Sequence, residues 1–267
     1  MQALPNTAET ALAEVIRRQG RAGFETALLA FLGRAVAPDN LLVLAYRDAA
    51  PPLVLYRHAA LERVFADLEQ VYLAGAYVLD PYHDLHVRRA PRGLYRLTDI
   101  APDAFQRSRY AIAYYQSTGI IDELTFVAYP AQGVTLNLCI GRDVGSGRPF
   151  LAREVEIAQR IAPVVVALSE AHWAGLPASD TQPATSPVHR LVDALQAARG
   201  IRLSPRQAEV ALLILRGHST PSIALMLGVS AQTVKVFRRQ VHARCGVTSQ
   251  AELFALMLPL LGRGARV

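Results

Sequence analysis

The chain has 267 residues, 52% hydrophobic and 19% charged. That is enough apolar material for one large or two modest globular domains and too much for a disordered chain; two domains are expected. No run approaches the ~18 to 20 apolar residues of a membrane-crossing helix. The opening MQALPNTAETALAEVIRRQG carries acids within an amphipathic pattern, unlike a leader's unbroken apolar stretch. A cytoplasmic, unprocessed protein with no membrane partner is therefore expected. Cys139 and Cys245 stand too far apart, in unlike contexts, for a disulfide framework or zinc cluster. Of 28 basic residues, 27 are Arg and only Lys235 is Lys. A Walker phosphate loop and Schiff-base catalysis each need a Lys in a context that Lys235 lacks.

In chain order, residues 8–34 give helical patterns broken near Gly20 to Gly23, and NLLVLAYR and PLVLYR read as two strands joined by the turn DAAP. Leu61–Leu73 reads as helical, as does Phe105–Gln116 after an irregular stretch. ELTFVAY and VTLNLCI flank PAQG as a second hairpin; Val134, Leu136, Leu138 and Ile140 alternate with Thr135, Asn137 and Cys139, the period of a half-buried strand. A long helix from about Phe150 to Trp173 follows, kinked at Pro163, with Ile157, Ile161 and Leu168 inward. Two hairpins with helices before, between and after predict an α+β fold: an N-terminal α-β-α region built on an antiparallel sheet, followed by an all-α C-terminal region. Residues 177–187, PASDTQPATSP, have nothing bulky to bury and read as a linker between domains 1–176 and 188–267.

The charge divides at the same place. Residues 200–267 hold nine of the 28 basic residues and two of the 22 acids, a net +7, whereas residues 1–199 carry a net −1. A basic terminal domain points to a polyanion such as double-stranded DNA. Four helices are expected there. Ser204 caps the first, with Pro205 at its first position and Gly217 as its stop. Ser219 caps a short second helix with Ile223, Ala224 and Leu227 on one face, ending at Gly228. Ser230 opens a third with Val234, Phe237, Val241 and Cys245 inward. Ser249 and Glu252 form a capping box for the fourth, whose stripe is Leu253, Leu256, Met257 and Leu260, with Pro259 ending or kinking it. The third helix then turns Lys235, Arg238, Arg239 and His242 outward. A short helix, a Gly turn and a helix with a basic face make the helix-turn-helix arrangement, in which the later helix enters the major groove. Ser230 and Thr233 at its start suit capping and phosphate positioning; Lys235, Arg238 and Arg239 can reach phosphates or guanine edges.

LSPRQAEV, GHSTPSIALMLGVSAQTVKVFRR and CGVTSQAEL resemble the successive parts of the LuxR-type DNA-binding domain of bacterial transcriptional regulators, over Leu203 to Leu261. The resemblance implies a structural acid at Glu209 and a recognition-helix signature at Thr233, Val234 and Lys235. It also implies a homodimer, with the fourth-helix stripe serving either as local core or partly as a dimer seam. This chain departs from the pattern at Pro221, Phe237 and Cys245. The N-terminal region is similar to PAS and GAF sensory modules and to the autoinducer-binding domain of LuxR regulators. VYLAGAYVLDPYHDL resembles that domain's Tyr-rich segment, which implies Tyr72, Tyr77 and Asp80 as small-molecule pocket residues. Tyr95, which follows Pro91 roughly where the family has a Trp, is by the same resemblance a fourth expected pocket residue; the one Trp here is Trp173.

The same residues have plainer readings. Tyr72 and Tyr77 suit an amphipathic core, Asp80 before Pro81 starts turns, Asp122 and Glu123 are expected to cap a strand in solvent, and Arg107 and Arg109 to lie on a solvated helix face. His83, Asp84 and His86 are the one metal-like grouping, without a metal-binding helical spacing. No catalytic set, metal site or cofactor motif emerges, so a DNA-binding transcriptional regulator is expected. Its N-terminal domain binds a small-molecule effector or serves only for dimerisation and protein interaction.

Overall fold

The computed structural model describes residues 6–48, 50–178 and 186–262; residues 179–185 of the expected linker lie outside them. The chain begins with α1 (Asn6–Arg18) and α2 (Phe24–Ala35), parted where Gly20 and Gly23 take φ of 69° and 86°. β1 (Asn40–Arg47) and β2 (Leu53–Ala59) form the first hairpin. The chain then runs through a 3-10 turn (Glu62–Phe65), a π-helical turn (Leu68–Tyr72) and a second 3-10 turn (Ala76–Leu79) into α3 (Pro81–Val87), β3 (Gly93–Arg96) and α4 (Leu97–Ile100). A 3-10 turn at Phe105–Arg107, a π turn at Ala111–Tyr115 and α5 (Gln116–Thr118) precede β4 (Ile120–Ala128), β5 (Val134–Asp143) and α6 (Ala152–His172). The five strands form one antiparallel sheet in the order β2-β1-β5-β4-β3.

Alternation along the strands gives the sheet two unlike faces. Leu41, Val43, Phe126, Leu136, Leu138 and Ile140 meet α2 and α6 in an apolar layer with Phe24, Phe31 and Val165. His172 of α6 stacks on Phe24 with ring centroids 3.9 Å apart and accepts the Gly20 N–H. The inward stripe of α6 is Ala158, Ile161, Ala162, Val165 and Val166. Of the three expected inward residues Ile161 is buried, and Ile157 and Leu168 are half-buried against the same layer; the helix continues through Pro163 to His172.

The other face lies beneath the irregular segments 62–80 and 105–118, in which regular helices were expected over 61–73 and 105–116. Tyr110, Tyr114 and Tyr115 are all buried there. Successive residues of an α-helix diverge by about 100°, so burying two adjacent tyrosines on one side favours the wider π turn.

The C-terminal region holds α7 (Pro187–Arg199), α8 (Pro205–Arg216), α9 (Thr220–Leu227), α10 (Ala231–Cys245) and α11 (Gln250–Leu261). Four of these match the expected helices. The fifth, α7, is capped by Ser186, has Pro187 at its start and Gly200 at φ 66° just past its end, and buries Leu191 and Leu195 against α8 and α11. Pro259 does not end α11, which continues to Leu261 with Leu253, Phe254, Met257, Leu260 and Leu261 buried.

These helices dock on the side of the N-terminal region that carries segments 62–80 and 105–118. Arg216 Nε donates to Val78 O at 3.1 Å, Ala104 N–H donates to Gly217 O at 3.0 Å, and Ser219 N–H donates to Asp103 Oδ1 at 2.9 Å. At the end of α11, Gly262 meets Ala74 and Gly75 so closely that a Cβ on Gly75 would sit 2.5 Å from the Gly262 nitrogen. The fourth-helix stripe is therefore core in this arrangement, continuous with the tyrosine-rich layer.

Candidate functional site

The basic surface is assembled from local signals. Ser230 Oγ accepts the Thr233 N–H at 3.0 Å and caps α10, which Gly246 ends at φ 65°. Val234, Val241 and Cys245 are buried and Phe237 is half-buried against α8 and α9. That packing fixes the opposite face outward. Lys235, Arg238, Arg239 and His242 line an open groove with Thr220 and Thr248. Lys235 and Arg239 are exposed; Arg238 is half-buried and donates to Thr220 Oγ1 at 3.2 Å, which ties the recognition helix to the start of α9. Arg206 pairs with Glu209 at 2.8 Å and donates to Leu227 O, closing the C-terminal end of α9. Glu209 thus acts through Arg206 to fix the turn. The structure brings together all five residues expected on the DNA-facing side: Ser230 and Thr233 at the helix start and Lys235, Arg238 and Arg239 along it.

The second site is a cavity between the sheet and the irregular segments, lined by Tyr72, Asp80, Tyr82, Tyr114, Tyr115 and Glu123 among others. Its free volume is about 20 Å³, room for one water molecule. Asp80 caps α3: its carboxylate accepts the Tyr82 N–H at 2.8 Å and the Tyr110 hydroxyl at 3.2 Å. Burial outweighs these donors and raises its pKa to about 6. The Tyr46 and Tyr72 hydroxyls are 2.6 Å apart, and the Tyr114 ring stacks between Tyr72 and Tyr110.

Of the expected pocket residues, Tyr72 and Asp80 line this cavity. Tyr77 is buried beside them but interacts with Arg190 of α7. Tyr95 lies apart, half-exposed on edge strand β3, where its hydroxyl donates to Pro91 O at 2.6 Å.

The solvent-facing expectation for Asp122 and Glu123 is overturned. As neighbours on β4, just past a bulge between Ile120 and Asp122, the two carboxyls point to opposite faces of the sheet. Asp122, 4% exposed, accepts the Arg96 guanidinium and the Phe150 N–H. Glu123, 8% exposed, faces the cavity and accepts the Tyr115 hydroxyl at 3.1 Å. Burial, then the neighbouring Asp80, raises Glu123 to about 8. The signal for Glu123 lay in the alternation of IIDELTFVA, which sets Glu123, Thr125 and Val127 opposite Leu124, Phe126 and Ala128.

His86, from the metal-like grouping, is engaged through both ring nitrogens, donating from Nε2 to Asp48 O and accepting from the Thr135 hydroxyl. Burial lowers the pKa of His83. Among the described residues no group of three His, Cys, Asp or Glu is placed to hold a metal, and no helix is long and apolar enough to cross a membrane.

Comparison with known proteins bears on the C-terminal helices and on the N-terminal fold. Residues 202–257 match the family described as bacterial regulatory proteins, luxR family. An Aeromonas salmonicida protein described as an HTH-type transcriptional regulator in the exeN 3′ region is 30% identical over 185 residues, covering 67% of this chain and 93% of that protein. The VqsR LBD domain from Pseudomonas aeruginosa superposes with a TM-score of 0.55 at 23% identity, over 65% of this chain and all of that one, which shows a shared fold. SdiA of Escherichia coli aligns over 95% of this chain and 97% of its own, at a TM-score of 0.43 and 16% identity. With its helix-turn-helix matched and a relative aligned across two thirds of its length, the chain belongs to the luxR family of bacterial regulatory proteins.

Proposed function

We propose that the chain is a sequence-specific regulator of transcription that binds double-stranded DNA as a homodimer under the control of a small molecule held between the sheet and residues 62–118. Two α10 helices would then enter major grooves about one helical turn apart. Ser230 and Thr233 would position the helix on phosphates, with Lys235, Arg238 and Arg239 reaching phosphates or base edges. We assign the cavity to Tyr72 and Asp80 of the expected set, together with Glu123. We place the boundary between the two domains in residues 177–187. No catalytic step is assigned to any residue.

One observation carries the coupling. Segment 72–80 has Tyr72 and Asp80 on the cavity side, while Ala74, Gly75 and Val78 of the same segment touch Gly262 and Arg216. A ligand that moves this segment moves the docking of α8 and α11, and it shifts DNA binding only by its differential affinity for the two arrangements. The test is selection of bound duplexes from genomic fragments by the full chain, followed by anisotropy titrations. Gly75→Ala, which pushes a Cβ into Gly262, should change operator affinity without touching α10. Unaltered affinity with altered docking would remove the coupling. A second reading, a ligand-free dimerisation module, is favoured by the small free volume of the cavity. Native mass spectrometry of the purified chain distinguishes the two, since a retained small molecule excludes the second.

A further inference from the structure

The cavity has an unusual charge balance. Two carboxyls, Asp80 and Glu123, reach it, and five aromatic rings line it: Phe65, Tyr72, Tyr82, Tyr114 and Tyr115. None of its described lining residues is Arg, Lys or His. Tyr115 donates to Glu123, and Tyr110, behind the lining, donates to Asp80; burial raises the pKa values of Tyr72, Tyr82, Tyr114 and Tyr115 well above 10, so these rings bring no charge. A carboxylate buried without a cation is costly and takes up a proton instead. Elsewhere in the same region the buried carboxylates have partners of their own: Asp122 pairs with Arg96, and Asp143 accepts the Asn40 amide and the Gly145 N–H. In the cavity two carboxyls share one space with no cation among its described lining residues.

We propose that this cavity receives the ammonium group of a small organic amine, with Glu123 and Asp80 as its counter-charge and the tyrosine rings closing around it. Acids beside stacked aromatic faces suit an organic cation, which is attracted by both. The free volume matches an ammonium head and no more. The body of the molecule must therefore lie toward the half-buried rim of Leu42, Phe65 and Ile120, which is apolar. The wall there includes the turns at 62–72 and 111–115, which lack the regular hydrogen bonding of an α-helix and yield most readily. The inference rests on reading the N-terminal region as the effector-binding part, and it specifies the effector's charge.

Around Glu123 stand Asp80 from the segment before α3, Asp122 on its own strand, Tyr115 from the π turn, and Tyr82 and Cys139 from α3 and β5. None brings a positive charge. Loading the site at neutral pH therefore releases a proton: the Glu123 carboxylic acid and the incoming ammonium become a carboxylate–ammonium pair and one free proton.

The experiment is calorimetric titration of the full chain with phenethylamine and hexylamine, and with 2-phenylethanol and hexan-1-ol as neutral counterparts. It is repeated in buffers of different ionisation enthalpy. An amine should bind at least tenfold tighter than its alcohol and release a proton. Glu123→Gln, close to Glu in shape, should erase both the preference and the release, with folding checked by circular dichroism. Equal binding of amine and alcohol, or a preference that survives Glu123→Gln, overturns the inference. Octanoyl-homoserine lactone binding where the amines do not leaves the small-molecule reading standing and ends the ammonium one. If none of these compounds binds and native mass spectrometry finds no retained molecule, both fall.

Discussion

The cavity face of the sheet and the outer face of α10 both carry ionisable groups, in opposite settings. Glu123 and Asp80 are buried among tyrosines; Lys235 and Arg239 stand in solvent. A buried charge couples to folding because desolvation costs several kcal/mol, whereas an exposed one costs little and contributes little to stability. The same kind of substitution should therefore read out as a change in stability in the cavity and as a change in DNA affinity on α10.

The largest effect should appear on α10. Lys235→Ala and Arg238→Ala should each weaken operator binding by roughly 1–3 kcal/mol if they reach bases, and should flatten the salt dependence if they reach phosphates. Their unfolding free energies should stay within about 0.5 kcal/mol of the parent. Arg238 tests the comparison more severely, because its hydrogen bond to Thr220 is partly buried. If the loss falls on urea unfolding and leaves anisotropy unchanged, Arg238 is a structural strut and the contrast fails on that side.

The cavity supplies the next effect, with a definite sign. Folded Glu123 holds its proton up to about pH 8, against an ordinary value near 4.5, so the folded state binds more protons than the unfolded one across that window. Its contribution to stability is full below the lower value and is lost as pH rises toward the upper. About 2 kcal/mol should go between pH 6 and pH 8; Glu123→Gln cannot ionise and should flatten that slope in urea melts. Asp80 acts in the same sense at lower pH. Glu154, held at about 2 by Arg148 and the Leu151 N–H, has the opposite sign, and its contribution is lost only in acid. A parent protein equally stable at pH 6 and pH 8 would mean that solvent reaches Glu123.

The two regions also differ in how far the sequence reveals them. The α8 to α11 helices are bounded by local chemistry, Ser204, Ser219, Ser230 and Ser249 as caps and Gly217, Gly228 and Gly246 in left-handed backbone, and such signals are legible without knowing what packs where. The same signals were present for α7 in SPVHRLVDALQAARG, where the adjoining proline-rich stretch masked them. The cavity is a different case. Strand alternation places Glu123 and Thr125 on one face, but whether that face meets water or tyrosines depends on segments 62–80 and 105–118, which have no period to read. Tyr95 makes the same point: its spacing from Pro91 gave no sign that β3 would be the sheet's edge, clear of the cavity.

The smallest effect separates two roles within one side chain. Ser230 caps α10 through the Thr233 N–H, and its removal as Ser230→Ala should cost about 1 kcal/mol of stability. The same hydroxyl at a helix N-terminus is suited to a phosphate oxygen. Asp caps as well as Ser and favours the positive end of the helix dipole, yet its charge repels phosphate. Ser230→Asp should therefore hold or raise the melting temperature while weakening operator binding, and Ser230→Ala should lower both. If the Asp variant binds DNA as tightly as the parent, the start of α10 does not approach the backbone, and the contact surface must begin further along the helix, at Lys235.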